Sequence, residues 1–396
     1  MTTTLARNFQ CSCSKPVFFR NSSCLACNSP LGYVADEGAL HALRPGLSPD
    51  RFLIEGRPGV TYRRCQNFSS AIGCNWLVRD DGREHAALCL SCRLSRVIPD
   101  QSDPINAELW CRMETAKRRL VSQLLGLGLP VVPRSEDPRR GLAFDFLRSQ
   151  PGAPVMTGHA SGVITINLEE ADDAFRERAR AQFGEPYRTL LGHFRHEVGH
   201  YYWDRLVLDT PWLPAFRELF GDERQDYAAA LKRNYEVGPP PNWQECFISS
   251  YAAVHPWEDW AEVWAHYLHL RDTIDTAVSF GMLAGARTLE RHDATGGVIA
   301  PFQPSHLWQP DHPTGDDFLA LLRDWVGLTC VMNEMSRAMG QQDFYPFVLP
   351  AAAVAKLHFI HCLVDAQTGA TTDMRGDART DAPAKLPVHG GVGVAP

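Results

Sequence analysis

Eight of the twelve cysteines fall within the first 92 residues, and no other feature narrows the possible folds as much. They are Cys11, Cys13, Cys24, Cys27, Cys65, Cys74, Cys89 and Cys92. Cys24-x-x-Cys27 and Cys89-x-x-Cys92 have knuckle spacing, in which two thiolates on one tight turn grip one metal ion. Their partners are less regular, because Cys11-x-Cys13 is tighter than the usual spacer and Cys65 and Cys74 stand much farther apart. The simplest assignment is sequential, with Cys11, Cys13, Cys24 and Cys27 around one zinc ion and Cys65, Cys74, Cys89 and Cys92 around a second. An interleaved pairing stays open, as does replacement of one cysteine of the second set by His85. Four thiolates leave no position for water or substrate, so the expected role of both ions is structural. Iron is the other metal that thiolates suit.

The metal reading depends on compartment. The opening MTTTLARNFQCSCSK has neither the apolar segment nor the small-residue cleavage site of a secretory signal, which predicts a cytoplasmic chain. There, clustered thiols bind metal rather than form disulfides. No apolar run approaches the roughly 18–20 residues of a membrane span. The formal charge of −7 gives no whole-chain reason to seek nucleic acid or anionic lipid. Residues 1–100 hold 12 Lys or Arg and 8 Asp or Glu. Two four-thiolate zinc centres, at about −2 each, would cancel that excess. The charge therefore points to a protein contact or substrate presentation for this module rather than to nucleic acid.

At 396 residues the chain exceeds one core of ordinary size. Residues 1–100 read as a zinc-ribbon module that buries too little apolar surface by itself, so metal would supply the missing stability. From residue 101 the pattern turns helical. Leu109, Met113, Ala116, Leu120 and Leu124 share one face before a Gly-Leu-Pro stop. Residues 154–168 read as a strand or hairpin. Helices are expected from about 185 to 207, from Pro256, from 318 to 339 and from 351 to 364, with a Pro, Gly and His-rich loop over 293–315. The expected fold class is thus α+β: a cysteine-rich ribbon, then a mainly helical domain with a small sheet over 101–365, then a disordered tail over 366–396.

Within the 185–207 helix lies His196-Glu197-Val198-Gly199-His200, an H-E-x-x-H motif. Histidines four apart share a helix face and can both reach one zinc ion, and the adjacent Glu197 is placed to act as general base on a water at the metal. Gly199 costs about 1 kcal/mol relative to alanine in a helix interior, so a packing or functional reason for it is expected. A third protein ligand is needed. In residues 249–269, Glu258, Glu262 and His266 recur every four residues, and two tryptophan-rich turns occupy the other side. One carboxylate can serve the metal and the next can hydrogen-bond a ligating histidine. His255, Glu262, His266 and Asp204 are all chemically able to be that third ligand. The extended H-E-x-x-H-x-x-G-x-x-H pattern fails, because position 203 is Trp and 206 is Leu.

The segment E-D-W-A-E-V-W-A-H after H-E-V-G-H-Y-Y-W-D resembles the gluzincin class of zinc peptidases, in particular the lethal-factor-type peptidases. Together with FFRNSSCLAC and CNWLV upstream, it resembles the zinc-binding metallopeptidase family that carries an N-terminal zinc ribbon. The resemblance covers most of residues 8 to 365. It implies a zincin-like fold, Glu258 as third zinc ligand, Glu262 hydrogen-bonding a ligating histidine, and Tyr251, seven residues before Glu258, assisting the oxyanion. It also implies a peptide or protein substrate paired with an edge strand, for which Gly162 to Leu168 is the upstream candidate. The expected activity is peptide-bond hydrolysis with one catalytic and two structural zinc ions. The competing expectation is a ribbon that binds protein or nucleic acid on a scaffold that does not cleave. Oligomeric state is not legible.

Overall fold

A computed structural model describes residues 5–80, 87–183, 189–282 and 302–376. His85, residues 185–188 of the expected motif helix, 293–301 of the expected loop and 377–396 of the expected tail lie outside the described residues.

The N-terminal region consists of short strands tied by cysteine turns. β1 (Phe9–Gln10) and β2 (Pro16–Val17) pair antiparallel around the turn that holds Cys11 and Cys13. An antiparallel meander follows in chain order: β3 (Leu31–Val34), β4 (Ala39–Pro45), β5 (Phe52–Ile54), β6 (Thr61–Arg64) and β7 (Leu77–Asp80). Alternation sends Val34, Leu43, Ile54, Tyr62 and Leu77 into a small cluster of their own. Cys65 and Cys74 lie between β6 and β7, Cys89 caps the short turn α1 (Leu90–Arg93), and Cys92 lies within it.

α2 (Pro104–Gly126) starts where it should, with Pro104 in the first turn and the Asp103 carboxylate accepting the Ile105 N–H at 2.9 Å. A mixed four-stranded sheet contains β8 (Ser95–Val97), β9 (Ala143–Leu147), β10 (Gly158–Ala160) and β11 (Val163–Asn167), in the order β10-β11-β9-β8. β11 runs parallel to β9, and β9 to β8, whereas β10 folds back antiparallel through Ser161-Gly162, both at positive φ as a two-residue hairpin turn requires. β10 is therefore the edge strand at the hairpin end of the sheet. The Gly162–Leu168 segment expected at the edge is interior, because its hairpin partner covers one side and β9 the other.

Among the described residues, the remaining α-helices are α3 (Asp173–Phe183), α4 (Leu190–Leu206), α5 (Leu213–Phe220), α6 (Tyr227–Val237), α7 (Trp243–Cys246), α8 (Pro256–Ser279), α9 (Gly315–Ala338) and α10 (Ala351–Gly376). α10 runs past residue 366, where the tail is expected to begin, since no proline interrupts the stretch to Gly376. Phe144, Phe146, Ile164 and Ile166 are fully buried on one sheet face, and Phe194 of α4 packs on both phenylalanines at 5.5 and 6.1 Å. α4 in turn lies against α8. A Cβ on Gly199 would come within 3.1 Å of the Ala261 Cα, and Trp260 Nε1 donates to the Gly199 carbonyl at 2.8 Å, so the glycine permits this close approach.

The two regions share one continuous core running from Phe9 to Val364. The N-terminal region does not stand alone: β8 joins the four-stranded sheet, and Arg7 reaches Asp272 on α8 at 2.9 Å. Arg119 and Arg195 converge on the same carboxylate, each at 2.8 Å. Burial alone would raise the Asp272 pKa, but the three guanidiniums hold it well below the ordinary carboxylate range.

Candidate metal centre

α4 and α8 cross at Gly199, which sets the functional residues of the two helices face to face. His196 Nε2 lies 3.0 Å and His200 Nε2 3.6 Å from one oxygen of Glu258. A tetrahedral zinc ion with two imidazole nitrogens and a carboxylate oxygen separates its ligand atoms by about 3.4 Å, from metal–ligand distances of roughly 2.0–2.1 Å. The observed separations straddle that value. The chemistry of the set fits as well, since two histidines and a glutamate form a three-ligand zinc site with one position left open. Glu258 is 2% exposed, and its Oε2 accepts no well-formed hydrogen bond among the described residues. A buried carboxylate oxygen whose nearest neighbours are two imidazole nitrogens needs a proton or a cation between them.

Neighbours orient each ligand. His196 Nδ1–H donates to Glu262 Oε1 at 2.7 Å, and Ser249 Oγ donates to the other Glu262 oxygen at 2.6 Å. The Tyr227 hydroxyl donates to Glu258 Oε1 at 2.7 Å, leaving Oε2 to face the histidines. The Trp257 ring lies 4.0 Å from the His200 ring, and His159 of β10 stacks over His200 at 6.4 Å. Burial, with help from His200, lowers the His159 pKa to about 4, so this ring is neutral. Burial raises the Tyr251 and Tyr227 phenols, and the Glu258 charge raises both further, so each keeps its proton at neutral pH. Glu197 is buried beside the site with Oε2 unpartnered among the described residues.

The competing third ligands are committed elsewhere. His255 accepts the Trp257 N–H at Nδ1 and donates from Nε2 to the Gln225 carbonyl. His266 is hydrogen-bonded to the Tyr345 hydroxyl at 2.6 Å, Glu262 is held by His196 and Ser249, and Asp204 stands 3.9 Å from His159. The Tyr251 ring lies 6.0 Å from that of His196. Sequence reasoning does not single out Tyr227, Ser249 or His159. They lie 31, 9 and 99 residues from Glu258 on separate elements, and no short motif links them. The sequence pattern groups Trp257 with the apolar tryptophans, yet as the second residue of α8 it covers His200.

The cysteines gather in the sequential sets, Cys11, Cys13, Cys24 and Cys27 in one and Cys65, Cys74, Cys89 and Cys92 in the other. Sulfur–sulfur separations of 3.6 Å for Cys11 and Cys27, and 3.7 Å for both Cys13 with Cys24 and Cys74 with Cys89, are too long for disulfides. They approach the roughly 3.8 Å edge of a tetrahedron with 2.3 Å metal–sulfur bonds. The second set is buried throughout, and the Cys89 N–H donates to Cys65 Sγ at 3.3 Å. Cys13 and Cys27 of the first set are exposed. Among the described residues, no helix is long and apolar enough to cross a membrane.

Residues 106–363 match the family described as "Putative zinc-binding metallo-peptidase", and residues 8–103 match a zinc-ribbon domain. Proteins of Mycobacterium tuberculosis and Mycobacterium bovis, both named as uncharacterized proteins, are 42% identical to this chain over 361 residues, 91% of its length and 95% of theirs. No solved structure matches.

Proposed function

The chain belongs to this zinc-binding metallo-peptidase family, and from that premise we propose that it hydrolyses peptide bonds at the α4–α8 crossing, with Glu197 as general base. One observation carries the reading: His196 and His200 converge on a single buried Glu258 oxygen, with an unpartnered Glu197 oxygen beside them among the described residues. His196, His200 and Glu258 would hold the zinc ion. When bound there, zinc supplies Lewis acidity and draws the pKa of water towards about 7.

Glu197 Oε2 has no donor among the described residues, so it can take the proton from the attacking water and return it to the leaving amine. Glu262 fixes the ring of His196 and keeps its Nε2 pointed at Glu258. Tyr251 retains its phenolic proton and can donate it in a hydrogen bond to the oxygen of the carbonyl under attack. The outer edge of β10 carries His159 to the site, and an extended peptide pairing with that edge would bring its backbone past His200. The helix pair, with a glutamate ligand and a second glutamate one turn on, supports the gluzincin likeness. The two four-cysteine clusters would each hold a structural zinc ion, and the ribbon would serve protein contact rather than nucleic acid.

The test is Glu197→Gln. Peptide hydrolysis is expected to fall by about 10²–10⁴-fold, the usual weight of a positioned base, with zinc content unchanged. Undiminished hydrolysis in this variant would remove Glu197 from the mechanism. Absence of hydrolysis in a zinc-loaded wild type, over a broad peptide library, would favour the non-cleaving scaffold.

A further inference from the structure

A fourth group of ligand side chains meets where the segment before α9 folds onto α10, on elements that contribute nothing to the α4–α8 centre. His358 and Cys362 stand four residues apart on α10, so both point to one side of the helix. His358 Nε2 lies 3.4 Å from Cys362 Sγ, and the two residues are 0% and 2% exposed. His312 arrives from the loop. Its ring is 5.8 Å from that of His358, and its Nδ1 lies 2.8 Å from the Thr314 hydroxyl, which can accept an Nδ1 proton at the expense of the longer Thr314 N–H contact at 3.3 Å. With the proton on Nδ1, the lone pair of Nε2 is left for a metal. One ligand atom from each of the three residues lies within 4.8 Å of the others.

We propose that His312, His358 and Cys362 bind a further transition-metal ion of zinc type, separate from the peptidase centre and from both cysteine clusters. Three observations support it. The 3.4 Å nitrogen–sulfur separation is close to the roughly 3.5 Å edge of a tetrahedron with a 2.3 Å metal–sulfur and a 2.0–2.1 Å metal–nitrogen bond. Two imidazoles and a thiolate are a borderline-soft donor set that selects zinc over calcium or magnesium. A purely apolar packing role is also a poor fit, because His358 is wholly buried and its Nδ1 has no partner among the described residues, a cost that an aliphatic residue would avoid.

The position gives the ion a structural consequence. Phe359, next to His358, packs on Trp308 of the loop at 5.0 Å and on Trp260 of α8 at 6.3 Å. His361 on the same helix lies 3.1 Å from the Tyr267 hydroxyl of α8. An ion at His312, His358 and Cys362 would thus pin the loop to α10 and hold the layer behind the metal-binding turn of α8.

Elemental analysis of the full-length protein decides the matter by difference, counting all first-row transition metals. His312→Gln, on the half-buried loop, and Cys362→Ala, close in volume, are each expected to lose about one equivalent from a wild-type total of about four. His196→Ala with His200→Ala would lose a different equivalent, and combining it with His312→Gln would lose about two. Failure of the peptidase reading is therefore counted separately from failure of this one. Equal metal content in wild type, His312→Gln and Cys362→Ala would overturn the proposal.

Discussion

The buried cysteine cluster and the histidine–glutamate centre have ligand atoms at similar tetrahedral spacing, yet they leave their surroundings in opposite states. Around Cys65, Cys74, Cys89 and Cys92, four donors of one kind close the set, and the Cys89 N–H already turns onto a sulfur. Around His196, His200 and Glu258 there are three donors, and a further carboxylate, Glu197, waits with an oxygen unpartnered. A closed set can only stabilise. An open set with an idle base beside it can do chemistry, and it has to be held in place by something other than the ion. Here Glu262, Ser249 and Tyr227 do the holding, together with the Gly199 crossing.

The comparison predicts that ligand loss has opposite consequences in the two places. Cys74→Ser is expected to cause the largest change in folding. Structural zinc in small domains contributes on the order of 10 kcal/mol, and this cluster sits inside the shared core. The variant should lose one zinc ion and melt far below wild type, whereas His200→Ala should lose one zinc ion and melt close to it. Calorimetry alongside elemental analysis checks both, and similar melting of the two variants would erase the distinction between a closed and an open site.

Next in size is Asp272→Asn, which probes how the ribbon and the helical region are joined. Replacing this buried carboxylate leaves the charges of Arg7, Arg119 and Arg195 uncompensated, a change expected to cost about 3–5 kcal/mol. The sign with pH follows from its depressed pKa. The stabilisation is complete above the unfolded-state value of about 3.9 and is lost as pH falls through the lower folded-state value. Wild type should therefore lose stability on acidification below about pH 4 more steeply than the variant. Parallel curves in denaturant titrations from pH 2 to 6 would show that the carboxylate does not bind the regions together.

Much of this is legible from the chain, for reasons of range. H-E-x-x-H, Glu258 and Glu262 are local patterns on two helices, and helical periodicity alone brings their members to one face. The cysteine knuckles are likewise local. What sequence does not disclose depends on elements meeting in space. Tyr227 opens α6 and Ser249 precedes the short turn before α8, and neither carries a signature of its own. Sequence misplaces the edge strand because Val163 to Asn167 has the stronger β pattern, while the three-residue β10 that caps the sheet has almost none. Arg7 reads as an unremarkable N-terminal cation, yet it is buried against Asp272, 265 residues away. Gly199 is the intermediate case: its cost in a helix announces a reason, and the crossing with Ala261 supplies it.

Glu262→Gln sharpens the contrast at a smaller scale. A glutamine oxygen can still accept from His196 Nδ1, but the charge that raises the basicity of the ring is gone. Ser249→Ala weakens the same support by one hydrogen bond. Loss of such partners commonly lowers metal affinity by 10–100-fold. Glu262→Gln is expected in that range and Ser249→Ala near its lower limit, measured by competition with a zinc chelator. The cysteine clusters should keep their metal throughout, and their release together with the centre's ion would mean that the variant had loosened the fold instead.

The smallest expected effect belongs to Tyr227→Phe, and it tests how the centre divides its labour. Tyr227 and Tyr251 both remain protonated under the influence of burial and Glu258, and it is the Tyr227 hydroxyl that is hydrogen-bonded to a ligand oxygen. Its removal frees Glu258 Oε1, so the carboxylate can rotate between its two oxygens and the approach of Oε2 to the histidines is no longer enforced. Zinc affinity should fall by about tenfold or less, in keeping with one lost hydrogen bond to a charged group. At saturating zinc, hydrolysis should be nearly restored, because the phenol orients a ligand and does not touch the substrate. A kcat that stays depressed under saturating zinc would instead assign to Tyr227 the carbonyl-facing role proposed for Tyr251, and would make the two tyrosines a single unit acting on the reacting carbonyl.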